Sequence, residues 1–189
     1  LINLNEANAV TLASVSTANG SITITTGGTT VIGSVSSATD ADANDISITA
    51  SSGDIVVGTV NAGTGAGDVT LTATAGAILD DANDGATDIS GDVVTLSAAT
   101  GIGASAGAGS LDTAANSITA AVTGAGQINL NEANAVTLAS VSTANGSITI
   151  TTGGTTVIGS VSSATDADAN DISITAASGD IVVGTVNAG

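Results

Sequence analysis

Residues 44–63 read NDISITASSGDIVVGTVNAG, and residues 170–189 repeat them with one change, Ala177 where the first copy has Ser51. Within this stretch Ile46-Ser47-Ile48-Thr49 alternates aliphatic and hydroxyl side chains, the period-two rhythm of a strand with one buried face. Gly53-Asp54 marks a turn, and Ile55-Val56-Val57 opens a second apolar patch. Twenty residues thus hold two short strands and a turn, too little to bury an apolar face alone. The unit must stack on others like itself.

The match extends outward. Residues 2–63 equal residues 128–189 at an offset of 126, with position 51/177 the one difference. Residues 1–189 therefore read as one continuous segment, with one full long repeat at 2–127 and the first half of the next at 128–189. Leu1 breaks the match, because Gln127 precedes the second copy. With neither Met nor a basic leader at its start, the chain is expected to be a piece of a longer array. A shorter period lies inside the long one. The strand signature recurs at Ile22, Ile46, Val69, Val94 and Ile118 and restarts at Ile148, with spacings of 24, 23, 25, 24 and 30 residues.

Five units of about 24 residues per long repeat, each with two or three short strands, suit an all-β parallel β-solenoid (β-helix). Ile22, Ile46, Val69, Val94 and Ile118 are then expected to form one inward ladder. Thr23, Ser47, Thr70, Thr95 and Thr119 form the outward row beside it. The competing architecture is a β-sandwich repeat. A sandwich this long without an aromatic residue or Pro would be unusual, and the inner period has no place in it.

Composition narrows the function. The chain has seventeen acids and no Lys, Arg or His, for a formal charge of −17. It also lacks Cys, Met, Trp, Tyr, Phe and Pro. Aromatic side chains normally supply much of a core's buried area, so a core of Ala, Val, Ile and Leu must be thin and regular. Disulfides and thiolate metal sites are excluded. A chain without a cation is not built for nucleic acid, whose phosphates need Lys or Arg, nor for anionic membrane surfaces. No apolar run reaches the length of a membrane-spanning helix, and barrel strands would carry aromatic girdles. Catalysis is not expected: Ser without His or Lys is inert, and repeats this alike argue against a unique cleft.

The stretches GDVTLTATAGAI (67–78) and NDISITASSGDIVVGTV (44–60) resemble the repetitive shafts of filamentous haemagglutinin-like proteins and other giant bacterial surface adhesins. That resemblance implies a right-handed parallel β-helix, secretion to the cell surface, and a part in adhesion or a biofilm matrix. The long near-perfect repeat and the absence of Lys and Arg set this chain apart from that family. None of the family's secretion or receptor-binding modules is present, so no adhesive target comes with the resemblance.

The acids concentrate in loops. Asp40-x-Asp42-x-Asn44-Asp45, its copy Asp166-x-Asp168-x-Asn170-Asp171, and Asp80-Asp81-x-Asn83-Asp84-Gly85-x-x-Asp88 set oxygen ligands at close intervals. Ca²⁺ takes six to eight such oxygens, and D-x-D-x-N begins the spacing of an EF-hand loop. The glycine at the sixth position and the glutamate at the twelfth are missing after Asp40. The candidate Ca²⁺ ligands are therefore Asp40, Asp42, Asn44 and Asp45, with Asp166, Asp168, Asn170 and Asp171, and Asp81, Asn83, Asp84 and Asp88. The competing reading is that Asp and Asn populate turns for their backbone preferences alone. Asp54, Asp112 and Asp180 are expected as solvated turn residues, and Glu6 and Glu132 as surface acids. Asp45, Asp68 and Asp92 each precede an opening strand and should share one corner of consecutive coils.

The expected function is structural: a secreted, extracellular rod at the cell surface, stiffened by Ca²⁺ and partnered by further copies of itself, end to end or side by side. The alternative uses the outward Thr rows to bind ice or a glycan.

Overall fold

The computed structural model describes residues 1–103 and 109–189. In chain order the strands are β1 (Ile2–Glu6), β2 (Val10–Leu12), β3 (Val15–Thr17), β4 (Ile22–Thr26), β5 (Thr30–Ser37), β6 (Ile46–Ala50), β7 (Ile55–Asn61), β8 (Val69–Ala73) and β9 (Ala77–Asp80). Then follow β10 (Ile89–Ala98), β11 (Gly101–Ile102), β12 (Leu111–Ala125), β13 (Ile128–Glu132), β14 (Val136–Asn145), β15 (Ile148–Thr152), β16 (Thr156–Ser163), β17 (Ile172–Ala176) and β18 (Ile181–Asn187). Every pairing among the described residues is parallel, which rules out the antiparallel sandwich. The chain winds into a single β-solenoid.

Each turn has a front tract and a back tract. Along the front, Ile2, Ile22, Ile46, Val69, Val94, Ile118, Leu138, Ile158 and Val183 lie each beside the next, so the chain makes about eight turns. Thr23, Ser47, Thr70, Thr95 and Thr119 run in register alongside. The back tract stacks β2 and β3, then β5, β7, β9 with the start of β10, β11 with the start of β12, and lastly β13, β15 and β17.

The spacing of the sequence predicts Ile148 as the rung after Ile118. Leu138 takes that place instead, with a register irregularity beside it. The reason is local. INLNE and VTLASVST alternate as strands in their own right, so they wind onward as β13 and β14 and do not loop out. Thirty residues there hold one and a half coils, and the coil is not constant. Front rungs are 20 residues apart at Ile2/Ile22 and at Leu138/Ile158, and 25 apart at Val69/Val94.

The alternation read from the sequence is the alternation of burial. In β4, β6 and β8 the aliphatic positions are buried and the Ser/Thr positions between them are half-buried. Ile22, Ile46, Ile48, Ile55, Leu71, Ile78, Ile89 and Ile102 are essentially inaccessible, each contributing about 1.5–3 kcal/mol by burial. At the corners the hydroxyls pair inside the coil, as in Thr26–Thr30 at 2.6 Å and its copy Thr152–Thr156 at 2.5 Å. Coil closeness also dictates glycine: a Cβ on Gly76 would lie 2.1 Å from the carbonyl oxygen of Gly53 in the coil before. On the last coil Ile181, Val182, Val183 and Val186 are 40–60% exposed, because among the described residues no strand pairs with the far edge of β18.

Candidate metal centre

Five of the seventeen acids, Asp40, Asp45, Asp54, Asp68 and Asp88, have partners that the sequence does not announce: backbone N–H groups of the following coil. Asp45 Oδ1 accepts the Asp68 N–H at 3.1 Å, and Asp68 Oδ1 accepts the Val93 N–H at 3.0 Å. Asp54 Oδ1 accepts the Ala77 N–H at 2.8 Å. Asp92 Oδ1 accepts the Asn116 side-chain amide at 2.8 Å. The expected shared corner of Asp45, Asp68 and Asp92 is thus a ladder of hydrogen bonds running down the rod.

Asp40 is the fullest case. Its two carboxylate oxygens accept N–H groups from Gly65 and Ala66 at 2.8 Å and from Gly67 at 3.0 Å. The bonds from Gly67 and then Gly65 hold its carboxyl below the ordinary Asp range, against a smaller opposing effect of desolvation. Asn44 is buried and donates to Asn19 Oδ1 at 2.9 Å and to the Thr39 carbonyl at 2.8 Å; Asn170 does the same with Asn145 and Thr165. Both asparagines pin their loops from within. Asp42 is exposed, as are Asp166, Asp168 and Asp171.

One place is different. Asp80 ends β9 in an inward position, beside Val57 of the previous coil, where the alternation would put an aliphatic residue. Asp88 stands just before β10, and Asp112 is the second residue of β12, one coil on. The Asp112 N–H donates to Asp88 Oδ2 at 2.8 Å, and the Asp88 N–H donates to the Asp112 carbonyl at 2.9 Å. Carboxylate oxygens of Asp80, Asp88 and Asp112 all lie within 4.8 Å of one another. The three residues are only 9%, 3% and 4% exposed. Ala82 N–H caps Asp80 Oδ1 at 2.9 Å, and the Asn131 side-chain amide donates to Asp112 Oδ1.

Burial with too few donors makes these charges costly. Burial pushes the Asp88 carboxyl up to about 7, with the neighbouring charges of Asp80, Asp112 and Asp81 adding to it and the Asp112 N–H partly offsetting it. Burial likewise raises Asp112, against the bond from Asn131. Three carboxylates at these separations match a cation with oxygens at 2.3–2.6 Å, since ligands on opposite sides of such an ion stand about 5 Å apart. Asp80, Asp88 and Asp112 are the residues able to hold one.

Of the predicted ligands, only Asp88 belongs to this group. Asp81, Asn83 and Asp84 are exposed turn residues: Asn83 has a left-handed φ of 53°, and Asp84 accepts the Ala86 N–H at 2.8 Å. Asp112 is a correction, because it is buried in the second position of a strand and not solvated in a turn. Two signals mark the missed members. Asp80 sits on the inward phase of Ala77-Ile78-Leu79-Asp80, and Asp112 follows Asp88 by one coil of 24 residues.

Glu132 is a second correction. It is 1% exposed, not a surface acid. It accepts the Thr113 hydroxyl at 2.7 Å and the N–H groups of Ala115 at 3.0 Å and Asn134 at 2.9 Å. Burial raises its carboxyl despite these bonds. Its copy Glu6, in the first described coil, accepts the N–H and the side-chain amide of Asn8 at the surface.

Compared with known protein families, curated proteins and solved structures, the chain matches none.

Proposed function

We propose that this chain is a structural repeat segment of a secreted bacterial surface filament, matrix fibre or adhesin shaft, and that Ca²⁺ stiffens it. The observation that carries the reading is the stacking of repeated sequence into one parallel sheet around an aliphatic interior. A rod of this kind lengthens by adding coils, and each coil buries the apolar edge of the one before. The acids serve the shaft as ties between coils. Ca²⁺ held by Asp80, Asp88 and Asp112 joins β9, the start of β10 and the start of β12, where the ties alone leave three buried charges facing each other.

An enzyme is not proposed. The acids with raised carboxyls are buried, so substrate has no access to them. A shallow depression lined by Asn116, Ala135, Val136, Thr137, Thr155 and Val157 contains no acid. The ice- or glycan-binding alternative relies on the outward Thr rows, one of which passes through Thr25, Thr49, Thr72 and Ser97 to Ala121. That row loses its hydroxyl within the long repeat, which favours the shaft.

The test is direct. Tandem arrays of the long repeat are imaged by electron microscopy, and Ca²⁺ binding is measured by calorimetry beside thermal unfolding. Straight rods whose length scales with repeat number are expected, with Ca²⁺ raising the melting temperature and EDTA lowering it. Compact particles of constant length would overturn the shaft. Unfolding that ignores EDTA would overturn the calcium part alone.

A further inference from the structure

Five front rungs after Ile2 bring the ladder to Ile118, and the copy of Ile2, Ile128, comes ten residues later. Those ten residues carry the chain from the front tract to the back. As a result the same sequence occupies opposite tracts in its two copies. INLNE is the front strand β1 at residues 2–6, yet at 128–132 it is β13, stacked on Ile102 and on Leu111–Thr113 of the back. VTLASVST is back strands β2 and β3 at 10–17, yet at 136–143 it is β14, stacked on β12 of the front.

We propose that the long repeat is a half-turn device: 126 residues make five and a half coils, so successive repeats present the same surface on opposite corners of the rod. The loop 38–45 joins β5 on the back to β6 on the front. Its copy 164–171 joins β16 on the front to β17 on the back, at the other corner. Any partner that recognises TDADAND therefore meets it first on one side and then on the other. The solenoid regains its azimuth after two long repeats, eleven coils, or about 53 Å at ~4.8 Å per coil. This follows from strand register and holds whatever the shaft carries.

The chain has no Cys, so spin labels can be placed cleanly. Two exposed pairs decide between registers: D42C/D168C and D42C/S178C, read by pulsed double electron–electron resonance on the 189-residue chain. Ser178 lies between β17 and β18, at the same corner as Asp42 and six coils on. The half-turn register puts the 42–178 pair about 29 Å apart along one edge. It puts the 42–168 pair roughly 35 Å apart, because a strand tract separates their corners. A whole-turn register of five coils reverses the order, with 42–168 the shorter at about 24 Å. The longer distance must belong to 42–168; the opposite order, or equal distances, overturns the half-turn.

Discussion

Replacing Asp88 by Asn tests the three-carboxylate group through the sign of its effect. Asn keeps the shape and an oxygen to accept the Asp112 N–H, while the charge is removed. In EDTA the native Asp88 carboxyl holds its proton up to about pH 7, against 3.8 for its ordinary value. The folded state therefore binds more protons between these values, and stability falls as pH rises through that window. Three units at about 1.4 kcal/mol each set an upper figure of about 4 kcal/mol. D88N escapes this loss: in EDTA it should match the parent chain near pH 4 and exceed it increasingly up to pH 8. With Ca²⁺ present the sign inverts, because the variant has lost a ligand. A cation at 100 times its Kd stabilises by about 2.7 kcal/mol, and a variant that no longer binds it forfeits that amount. Urea unfolding followed by far-UV circular dichroism is the assay, since the chain has no Trp, Tyr or Phe to report by fluorescence. A variant less stable than the parent in EDTA at pH 8 refutes the buried-charge argument. A variant more stable in both media refutes the metal.

Other positions give independent checks. Glu132→Ala strips the acceptor from one buried hydroxyl and two N–H groups, and should cost about 2–4 kcal/mol, whereas Glu6→Ala, the same letter in the same motif, should stay within about 0.5 kcal/mol. Gly76→Ala drives a Cβ into the Gly53 carbonyl and should abolish cooperative unfolding or lower Tm by more than 10 °C, roughly 2.5–5 kcal/mol for a chain of this length. Gly85→Ala has open space around its Cβ and only the left-handed φ of 76° against it, so a loss of about 1 kcal/mol is expected. Asp40→Ala removes the acceptor for Gly65, Ala66 and Gly67; amide exchange at those three should accelerate at pH 7 while the Ile46 and Val69 amides keep their protection. In the parent chain acid should lower the protection of those three amides relative to their intrinsic exchange rates, as the lowered Asp40 carboxyl finally takes a proton.

The front ladder was legible from Ile22 to Ile118 because period-two alternation and a near-constant spacing both mark it, and strand register depends on little else. What escaped lies where position around the coil matters more than letter identity. Glu6 and Glu132 sit in one identical motif, and no local signal tells that one is capped by Asn8 while the other is sealed against Thr113. The difference comes from the coil stacked before Glu132. Asp80 opens a loop motif by its letters, because acids crowd after it, although its own phase in Ala77–Asp80 points inward. One strong strand signature, the run from Ile22 to Ile118, masks the half-turn. INLNE and VTLAS fit the same alternation less conspicuously, and only pairing decides which tract they join.

A chain with seventeen acids and no base looks unable to neutralise itself, yet parallel winding supplies an answer that needs no cation. At several corners of this solenoid, backbone N–H groups face the coil before. An Asp in the coil before can reach them, as Asp40, Asp45, Asp54 and Asp68 do. In these four the direction is the same, each Asp carboxylate reaching to the coil that follows, so each coil holds down the next. Asp is the acid of choice because its short stem holds the charge near the strand it must bridge, which explains why Glu occurs only at positions 6 and 132. Such a ladder tolerates negative charge for as long as donors match acceptors. At Asp80, Asp88 and Asp112 three carboxylates converge and the donors run short. That imbalance makes the spot, among seventeen acids, the one where an ion has the most to stabilise.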